Sequence, residues 1–170
     1  MMTILELNGK TDPELKEGLL GRICELDREI FGDSAWGREA FSENIDNGYD
    51  YLIAACPDQG DSEPGQHGTA YVRTAGYALL RCFDDAEIIM IASDPACRRC
   101  GIGGALLKAL TEEAARRHAG SVFLEVRESN DAARAMYRKA GFKESGIRRN
   151  YYHAPLENAV VMQLEMRAGC

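Results

Sequence analysis

The feature of the sequence that most constrains its fold is a glycine-rich stretch at residues 98–107, set between an apolar strand and an amphipathic helix. The strand is predicted over residues 86–93, where apolar and β-branched residues run up to Asp94-Pro95. The helix is predicted because apolar residues recur at every fourth position, at Ile102, Leu106, Leu110 and Ala114. A strand, a turn, a glycine loop and a helix in this order are typical of an α/β unit.

The same loop predicts a binding site for phosphate. Glycines allow the backbone to approach a bulky anion, and the N–H groups of the first helical turn lie at the positive end of the helix dipole. Arg98 and Arg99 add positive charge. The loop fits neither usual nucleotide motif, because it lacks the Gly-Lys-Ser/Thr end of a Walker loop and has Leu106 where the dinucleotide motif needs glycine. The alternative interpretation is a tight turn whose glycines serve only packing.

Length and composition indicate a single domain over residues 1–170. The net charge of −7 argues against broad affinity for nucleic acid and suits a cationic partner. No apolar run approaches the roughly 18 residues of a membrane helix. The first residues lack a basic segment followed by a long apolar core, so no secretory signal is predicted.

The six cysteines predict free thiols in a reducing cytoplasm. Cys97 and Cys100 form a C-x-x-C pair, but a zinc site needs a second pair and the three histidines are scattered. We therefore expect no metal. A redox role for the pair has little support, because the pair precedes a phosphate-type loop rather than following the strand of a thioredoxin-like unit.

The remaining pattern predicts a mixed α/β sheet with helices on both faces. Strands are predicted over residues 3–8, 51–56, 69–83, 86–93, 121–126, 142–152 and 158–166. Further helices are predicted from Asp12-Pro13, over residues 36–44 and over residues 131–140, and residues 57–67 read as a solvated loop. The strands at 86–93 and 121–126 are joined by a helix and should run parallel, whereas short turns make the others antiparallel.

Glu125 is the first candidate for catalysis. It ends the strand at residues 121–126, parallel to the strand that ends at Ser93, and ligands of α/β sheets bind at the carboxyl ends of such strands. Alternation along the strand places it opposite the face that carries Val122, Leu124 and Val126. Catalysis and simple pairing with Arg127 or Arg148 explain this carboxylate equally well.

Tyr137 and Asn130 follow in the next helix. The phenol of Tyr137 is a candidate for the same cleft, and the alternative is a core aromatic that packs beside Met136 and Ala133. Asn130 stands where a side chain caps the helix, which is sufficient reason for an asparagine there.

Several segments resemble a known family. The Arg-x-x-Gly-x-Gly pattern of residues 98–103 resembles the motif by which GNAT acetyltransferases hold the pyrophosphate of acetyl-coenzyme A. Similarity to the RimI-type ribosomal-protein-alanine N-acetyltransferases is strong over residues 87–166 and weak before them. The matching segments are Leu124-Glu-Val-Arg-Glu-Ser-Asn130, Ala135-Met-Tyr137, Gly141-Phe142 and Ile147-Arg-Arg-Asn-Tyr-Tyr152.

This resemblance implies the GNAT acyltransferase fold, with a central mostly antiparallel sheet and one parallel pair, and acetyl-coenzyme A as co-substrate. It implies that Glu125 is the general base and Tyr137 the general acid. It also implies that the backbone of Ile91, Ala92 and Ser93 pairs with the pantetheine arm and that Asn130 touches the cofactor. The pyrophosphate would be bound by Arg98, Arg99, Cys100, Gly101, Ile102, Gly103 and Gly104.

The acceptor implied by the resemblance is the α-amine of an N-terminal alanine on a small-subunit ribosomal protein, without direct binding of nucleic acid or membrane. Trp36, Tyr151 and Tyr152 are expected on the acceptor side, although packed strand aromatics explain the two tyrosines equally simply. The loop at Ala35-Trp36-Gly37 departs from the family's Pro-Trp-Ser/Thr. Two alternatives stay open: an enzyme of this fold that acetylates a small amine such as a polyamine or antibiotic, and a non-catalytic coenzyme A-binding module.

Overall fold

The computed structural model describes residues 2–57 and 73–166, and in that part of the chain it contains seven strands and four α-helices. In chain order these are β1 (Met2–Leu7), α1 (Pro13–Phe31), α2 (Arg38–Ile45), β2 (Asp50–Pro57), β3 (Gly76–Cys82), β4 (Ala86–Ser93), α3 (Ile102–Arg116), β5 (Ser121–Arg127), α4 (Asp131–Lys139), β6 (Lys143–His153) and β7 (Leu156–Glu165). Among these helices none has the length and apolar character that crossing a membrane requires.

The strands form a sheet in the order β1-β2-β3-β4-β5-β7-β6. β4 and β5 pair in parallel, whereas β1 with β2, β5 with β7 and β6 with β7 pair antiparallel. The predicted fold class, a mixed sheet with one parallel pair, is confirmed. Two compact units divide the chain, one within residues 1–80 and 90–110 and the other within residues 81–89 and 111–170. The single domain over residues 1–170 stays a prediction.

In the first unit, α1 forms where the sequence predicts it. The carboxylate of Asp12 accepts hydrogen bonds of 3.1 Å from the N–H groups of Glu14 and Leu15, and Pro13 occupies the first turn, where a missing N–H costs nothing. Of the predicted apolar stripe, Leu19, Ile23 and Leu26 are buried, and Leu15 and Ile30 at its ends are half-buried. The helix is therefore held by an apolar face of about three turns.

The start of α3 packs against the start of β3. All four residues of the predicted stripe on α3 are buried. Gly76 in β3 lies so close to this helix that an added Cβ would stand 2.7 Å from the carbonyl oxygen of Ala92 and 2.7 Å from Cγ2 of Ile102. Only glycine allows this approach, which fixes the end of β4 and the first turn of α3 against β3.

In the second unit, β5 and α4 agree with the sequence pattern. Residues of β5 alternate between buried and half-buried, with Val122, Leu124 and Val126 on the buried face. The helix α4 begins after Asn130 and leads to Gly141, whose φ of +97° is a conformation that glycine adopts readily.

Most predicted boundaries differ from the structure by one or two residues, and three segments show the reasons. The second helix begins at Arg38 rather than Trp36, because Gly37 has the extended backbone of an N-cap residue, with φ −77° and ψ 166°. Of the strand predicted over residues 69–83, residues 69–72 lie outside the described part of the chain, and β3 is Gly76–Cys82. Ala75 still exchanges strand-like hydrogen bonds of 2.8 Å with Ala55 and Asp94. Of the loop predicted over residues 57–67, Pro57 is the last residue of β2, and the rest lies outside the described residues.

Candidate active site

The loop between β4 and α3 is anchored at its start by Asp94. The N–H of Asp94 donates to the carbonyl of Ala75 at 2.8 Å, and its carboxylate caps a turn of 3₁₀ helix by accepting from the N–H of Ala96 at 2.8 Å. The other carboxylate oxygen of Asp94 lies 3.4 Å from Nη2 of Arg22 on α1. The beginning of the loop is therefore tied to α1 and to the residue that precedes β3.

The residues that follow curve in a way that exposes backbone donors. Arg99 has a φ of +63° and Gly101 a φ of +78°, and the first helical hydrogen bond runs from the N–H of Ala105 to the carbonyl of Gly101 at 3.0 Å. The N–H groups of Ile102, Gly103 and Gly104 thus precede the ladder of α3 and have no carbonyl one turn back. Left-handed residues next to a helix start form an anion-binding concavity.

The positive charge at this loop is suited to binding a diphosphate group. Arg98, Arg99, Cys100 and Gly101 are exposed, and the two guanidinium groups form no ion pair with any residue that the structure describes. Ile102 contributes only its backbone, because its side chain is buried in the core. The donors and the two unpaired cations are what the pyrophosphate of coenzyme A requires.

The end of β4 supplies the second part of the predicted cofactor site. The parallel ladder joins Ala86, Glu87 and Ile88 to Val122, Phe123 and Leu124. Ile91, Ala92 and Ser93 lie beyond the last residue of that ladder. Ala92 is buried, and Ile91 and Ser93 are half-buried.

Glu125 near the end of β5 has two partners on β6. Its Oε1 lies 2.5 Å from Nη1 of Arg148, and its carboxylate also accepts a hydrogen bond from the hydroxyl of Tyr151. That hydrogen bond, followed by partial burial, raises the pKa of Tyr151 above its usual value. The side chain of Glu125 is 17% exposed, against 58% for Arg148. The pairing with Arg148 that the sequence leaves open is therefore present, and it leaves the carboxylate within reach of solvent.

The predicted acceptor tyrosines lie around this carboxylate. The rings of Tyr151 and Tyr152 stand 5.1 Å apart and nearly perpendicular, and the guanidinium of Arg127 lies 4.1 Å from the centre of the Tyr152 ring. Burial, followed by the charge of Glu125, raises the pKa of Tyr152. Arg127 also pairs with Glu157 at 3.1 Å, so it is not a partner of Glu125.

Tyr137 on α4 is buried, with 7% of its surface exposed, and its ring centre lies 5.9 Å from that of Phe142. Burial, with a smaller contribution from Tyr152, raises the pKa of Tyr137 to about 12. The phenol is therefore protonated at neutral pH, where it can give a proton but not take one. Asn130 caps α4 by accepting from the N–H of Ala133 at 3.2 Å, which confirms the structural reason for this residue.

Trp36 lies in the first unit, on the loop between α1 and α2. Its ring centre is 5.6 Å from that of Phe41, which contacts the Tyr77 ring edge-on at 5.7 Å. The loop is fixed by Asp27, a fully buried carboxylate that is not among the residues predicted from the sequence. A signal was present: Asp27 stands four residues after Ile23, on the apolar face of α1, where a charge needs buried hydrogen-bond donors.

Only the predicted catalytic pair, Glu125 and Tyr137, lies within one unit, whereas the predicted cofactor and acceptor residues are divided between the two. Ile91 to Gly104 and Trp36 belong to the first unit, and Glu125, Asn130, Tyr137, Tyr151 and Tyr152 belong to the second. No cluster of metal-ligating side chains occurs within residues 2–57 and 73–166. Cys100 is exposed, Cys97 is half-buried, and both are free thiols. The chemistry that these groups offer is anion binding at one loop and proton transfer at a strand end.

Comparison with known proteins agrees with the fold. The sequence model of the acetyltransferase (GNAT) family matches residues 22–142. The chain belongs to the acetyltransferase (GNAT) family. It is therefore an acyltransferase that uses acetyl-coenzyme A as co-substrate.

Among its relatives is the N-alpha-acetyltransferase RimI of Mycobacterium tuberculosis, which is 34% identical over 145 residues, 84% of each chain. The [ribosomal protein bS18]-alanine N-acetyltransferase of Escherichia coli strain K12 is 42% identical over 95 residues, which are 54% of this chain and 64% of that protein. The crystal structure of the ribosomal-protein-S18-alanine N-acetyltransferase from Escherichia coli covers 100% of this chain and 97% of that one, with a TM-score of 0.73 and 29% identity. The predicted resemblance to RimI-type enzymes is confirmed.

Proposed function

We propose that this protein acetylates the N-terminal α-amine of a protein, in the first place an alanine at the start of a small-subunit ribosomal protein. The observation that carries the proposal is that one compact unit holds an accessible carboxylate, Glu125, and a buried phenol, Tyr137, that stays protonated at neutral pH. A base and an acid of this kind are what direct transfer to an amine needs. The activities of the RimI relatives, N-alpha-acetylation and acetylation of an alanine of ribosomal protein bS18, support the choice of acceptor.

The cofactor site comprises three parts of the chain. The N–H groups at the start of α3, with Arg98 and Arg99, hold the diphosphate. Backbone groups of Ile91, Ala92 and Ser93 pair with the pantetheine arm, and Asn130 contacts the cofactor. Cys100 and the glycines at 101, 103 and 104 contribute backbone and allow close approach. Acetyl-coenzyme A bound there supplies the activated acyl group.

Proton transfer falls to Glu125 and Tyr137. Glu125 takes the proton of the acceptor ammonium, so that the nitrogen lone pair forms the bond to the acyl carbon as the carbon–sulfur bond breaks. Tyr137 gives its proton to the departing sulfur, and a backbone N–H near Ser93 stabilises the charge on the acyl oxygen. Each proton transfer contributes on the order of 10²- to 10⁴-fold to the rate.

Amine basicity favours an α-amine over lysine as acceptor. Reference pKa values of about 8 and about 10.4 differ by roughly 3.4 kcal/mol in the cost of deprotonation near neutrality. A carboxylate base therefore deprotonates an α-ammonium group more easily than a lysine side chain. The net charge of −7 attracts a cationic acceptor such as the start of a ribosomal protein. We place the enzyme in the cytoplasm, in keeping with this acceptor and with free thiols.

Thiol release with defined acceptors tests the proposal. The protein is incubated with acetyl-coenzyme A and an Ala-starting peptide, a Ser-starting peptide, spermidine, or the Ala peptide with its N-terminus already blocked. We expect release with the free Ala peptide above all, none with the blocked one, and loss of release in Glu125→Gln. Turnover of spermidine alone would identify a small-amine enzyme, and heat of acetyl-coenzyme A binding without any turnover would identify a binding module.

A further inference from the structure

We propose that Arg148 is a positioning residue: together with Tyr151 it holds the carboxylate of Glu125 in the orientation in which that carboxylate takes the acceptor's proton. This inference rests on the proposed function, because it concerns the base of that reaction. It adds a residue that acts on Glu125 rather than on either substrate.

Contacts of the carboxylate with β6 carry the inference. Nη1 of Arg148 lies 2.5 Å from Oε1 of Glu125, and the Tyr151 hydroxyl donates to the same carboxylate. The guanidinium of Arg148 lies 5.4 Å from the centre of the Tyr151 ring, so the two partners also contact each other. A carboxylate held by two neighbouring donors has one preferred orientation, whereas a free glutamate side chain has several.

A distortion of β6 makes this arrangement possible. In a regular strand, residues three apart, such as 148 and 151, point to opposite faces. Here Arg148 pairs with Ala159 and Tyr152 with Glu157, so residues 149–151 lie opposite Asn158 alone. Bulges of this kind redirect side chains and are frequent beside active sites.

Asn150 and Asn158 stabilise the distortion. Asn150 has a φ of +51°, which asparagine tolerates better than most residues, and its N–H donates to Oδ1 of Asn158 at 3.0 Å. The amide of Asn158 in turn donates to Glu128 at 3.0 Å. The irregular geometry is thus held by its own hydrogen bonds and delivers both Arg148 and Tyr151 to Glu125.

Stability alone gives little reason for the ion pair. The side chain of Arg148 is 58% exposed, and an ion pair that water reaches contributes little to folding. Removal of Arg148 is therefore expected to change turnover far more than the free energy of unfolding. Arg149 provides a matched control, because it is exposed, adjacent and equally charged, and within the described residues it forms no ion pair.

The experiment compares Arg148→Ala, Arg148→Gln, Arg148→Lys and Arg149→Ala in thiol release with the Ala peptide. We expect Arg148→Ala and Arg148→Gln to lower kcat by about 10- to 100-fold, the range of a misplaced catalytic group, while KM for acetyl-coenzyme A stays within about twofold. Lysine at 148 should restore part of kcat, and Arg149→Ala should match the wild type. Millimolar guanidinium chloride, but not sodium chloride, should raise kcat of Arg148→Ala and leave Glu125→Gln unchanged.

The outcomes separate the inference from the function on which it rests. Wild-type kcat in both Arg148→Ala and Arg148→Gln, with Glu125→Gln inactive, overturns the positioning role and leaves the proposed function standing. Equal losses in the Arg148 and Arg149 variants, without rescue by guanidinium, also overturn it, because surface charge rather than positioning then matters. If the wild-type protein turns over none of the acceptors, both the positioning role and the proposed function are overturned.

Discussion

The main-chain N–H of Trp36 donates a hydrogen bond of 2.5 Å to the carboxylate of Asp27, which has no exposed surface. The hydroxyl of Tyr77 donates to the other oxygen of the same carboxylate. Burial, followed by this hydrogen bond to Asp27, raises the pKa of Tyr77 far above its usual value. The buried charge is tolerated because two donors replace water, and it fixes the loop that carries Trp36 to α1 and β3.

Asp27→Ala is expected to lower the free energy of unfolding by about 3 kcal/mol, because it leaves the buried Tyr77 hydroxyl and the partly buried N–H of Trp36 without their acceptor. Urea denaturation at neutral pH measures this change. Glu25→Ala, at an exposed position of the same helix, should stay within about 0.5 kcal/mol of the wild type. Equal stability of the two variants would show that the Asp27 carboxylate contributes nothing to the fold.

Tyr137→Phe should reduce kcat by about 10²- to 10⁴-fold, because the variant keeps the ring but has no proton to give. The pKa of about 12 also means that titration of Tyr137 produces no decline in rate below that pH. Stopped-flow or steady-state thiol release over a range of pH checks both statements. Unchanged turnover in this variant near neutral pH would exclude Tyr137 as the acid.

Arg98→Gln combined with Arg99→Gln should raise KM for acetyl-coenzyme A by at least tenfold. Each lost charge-assisted hydrogen bond to a phosphate costs about 1.5 kcal/mol, and neither arginine has another ion-pair partner among residues 2–57 and 73–166. The free energy of unfolding should change little for the same reason. Lys139→Gln, an exposed charge at the end of α4, serves as control and should leave KM unchanged. Calorimetry with acetyl-coenzyme A gives the affinity directly.

Local patterns predict most of the fold. The stripe on α3, the alternation in β5 and the cap of α1 all depend on contacts close in sequence, and each is confirmed. The sequence pattern does not reveal contacts between distant residues. Asp27 meets Tyr77 fifty residues away. Likewise, whether Arg127 or Arg148 pairs with Glu125 depends on a distortion in β6, and no sequence motif predicts that distortion.

Gly76→Ala should destabilise the protein by about 1–3 kcal/mol, because the new methyl group would overlap the carbonyl oxygen of Ala92 and cannot displace backbone cheaply. Gly21→Ala in the interior of α1 makes the same chemical change where nothing lies within 4 Å, and it should stabilise the protein by about 0.5–1 kcal/mol. Thermal or urea denaturation of the pair isolates the steric effect. Equal shifts of the two variants would contradict the close packing at Gly76.

Glu113 on α3 should make stability depend on pH. Its buried carboxylate accepts hydrogen bonds of 2.7 Å and 2.5 Å from Arg116 and 2.6 Å from Arg117. Burial by itself would raise the pKa of Glu113, but the hydrogen bonds and charges of the two arginines outweigh it, so the pKa lies below the ordinary value of 4.5. The carboxylate therefore contributes its stabilisation above pH 4.5, and this contribution is lost as the pH falls through the lowered pKa.

Glu113→Gln should accordingly be less stable than the wild type at pH 7, and the difference should shrink as the pH falls below about 4.5 because the wild type then loses the charge that the variant never has. Urea denaturation at pH 7 and at a series of acidic pH values measures the difference. Glu112→Gln, at the exposed neighbouring position, should stay within about 0.5 kcal/mol of the wild type throughout. A difference between Glu113→Gln and the wild type that stays constant with pH would mean that packing, rather than the ionised carboxylate between the two arginines, accounts for the contribution of Glu113.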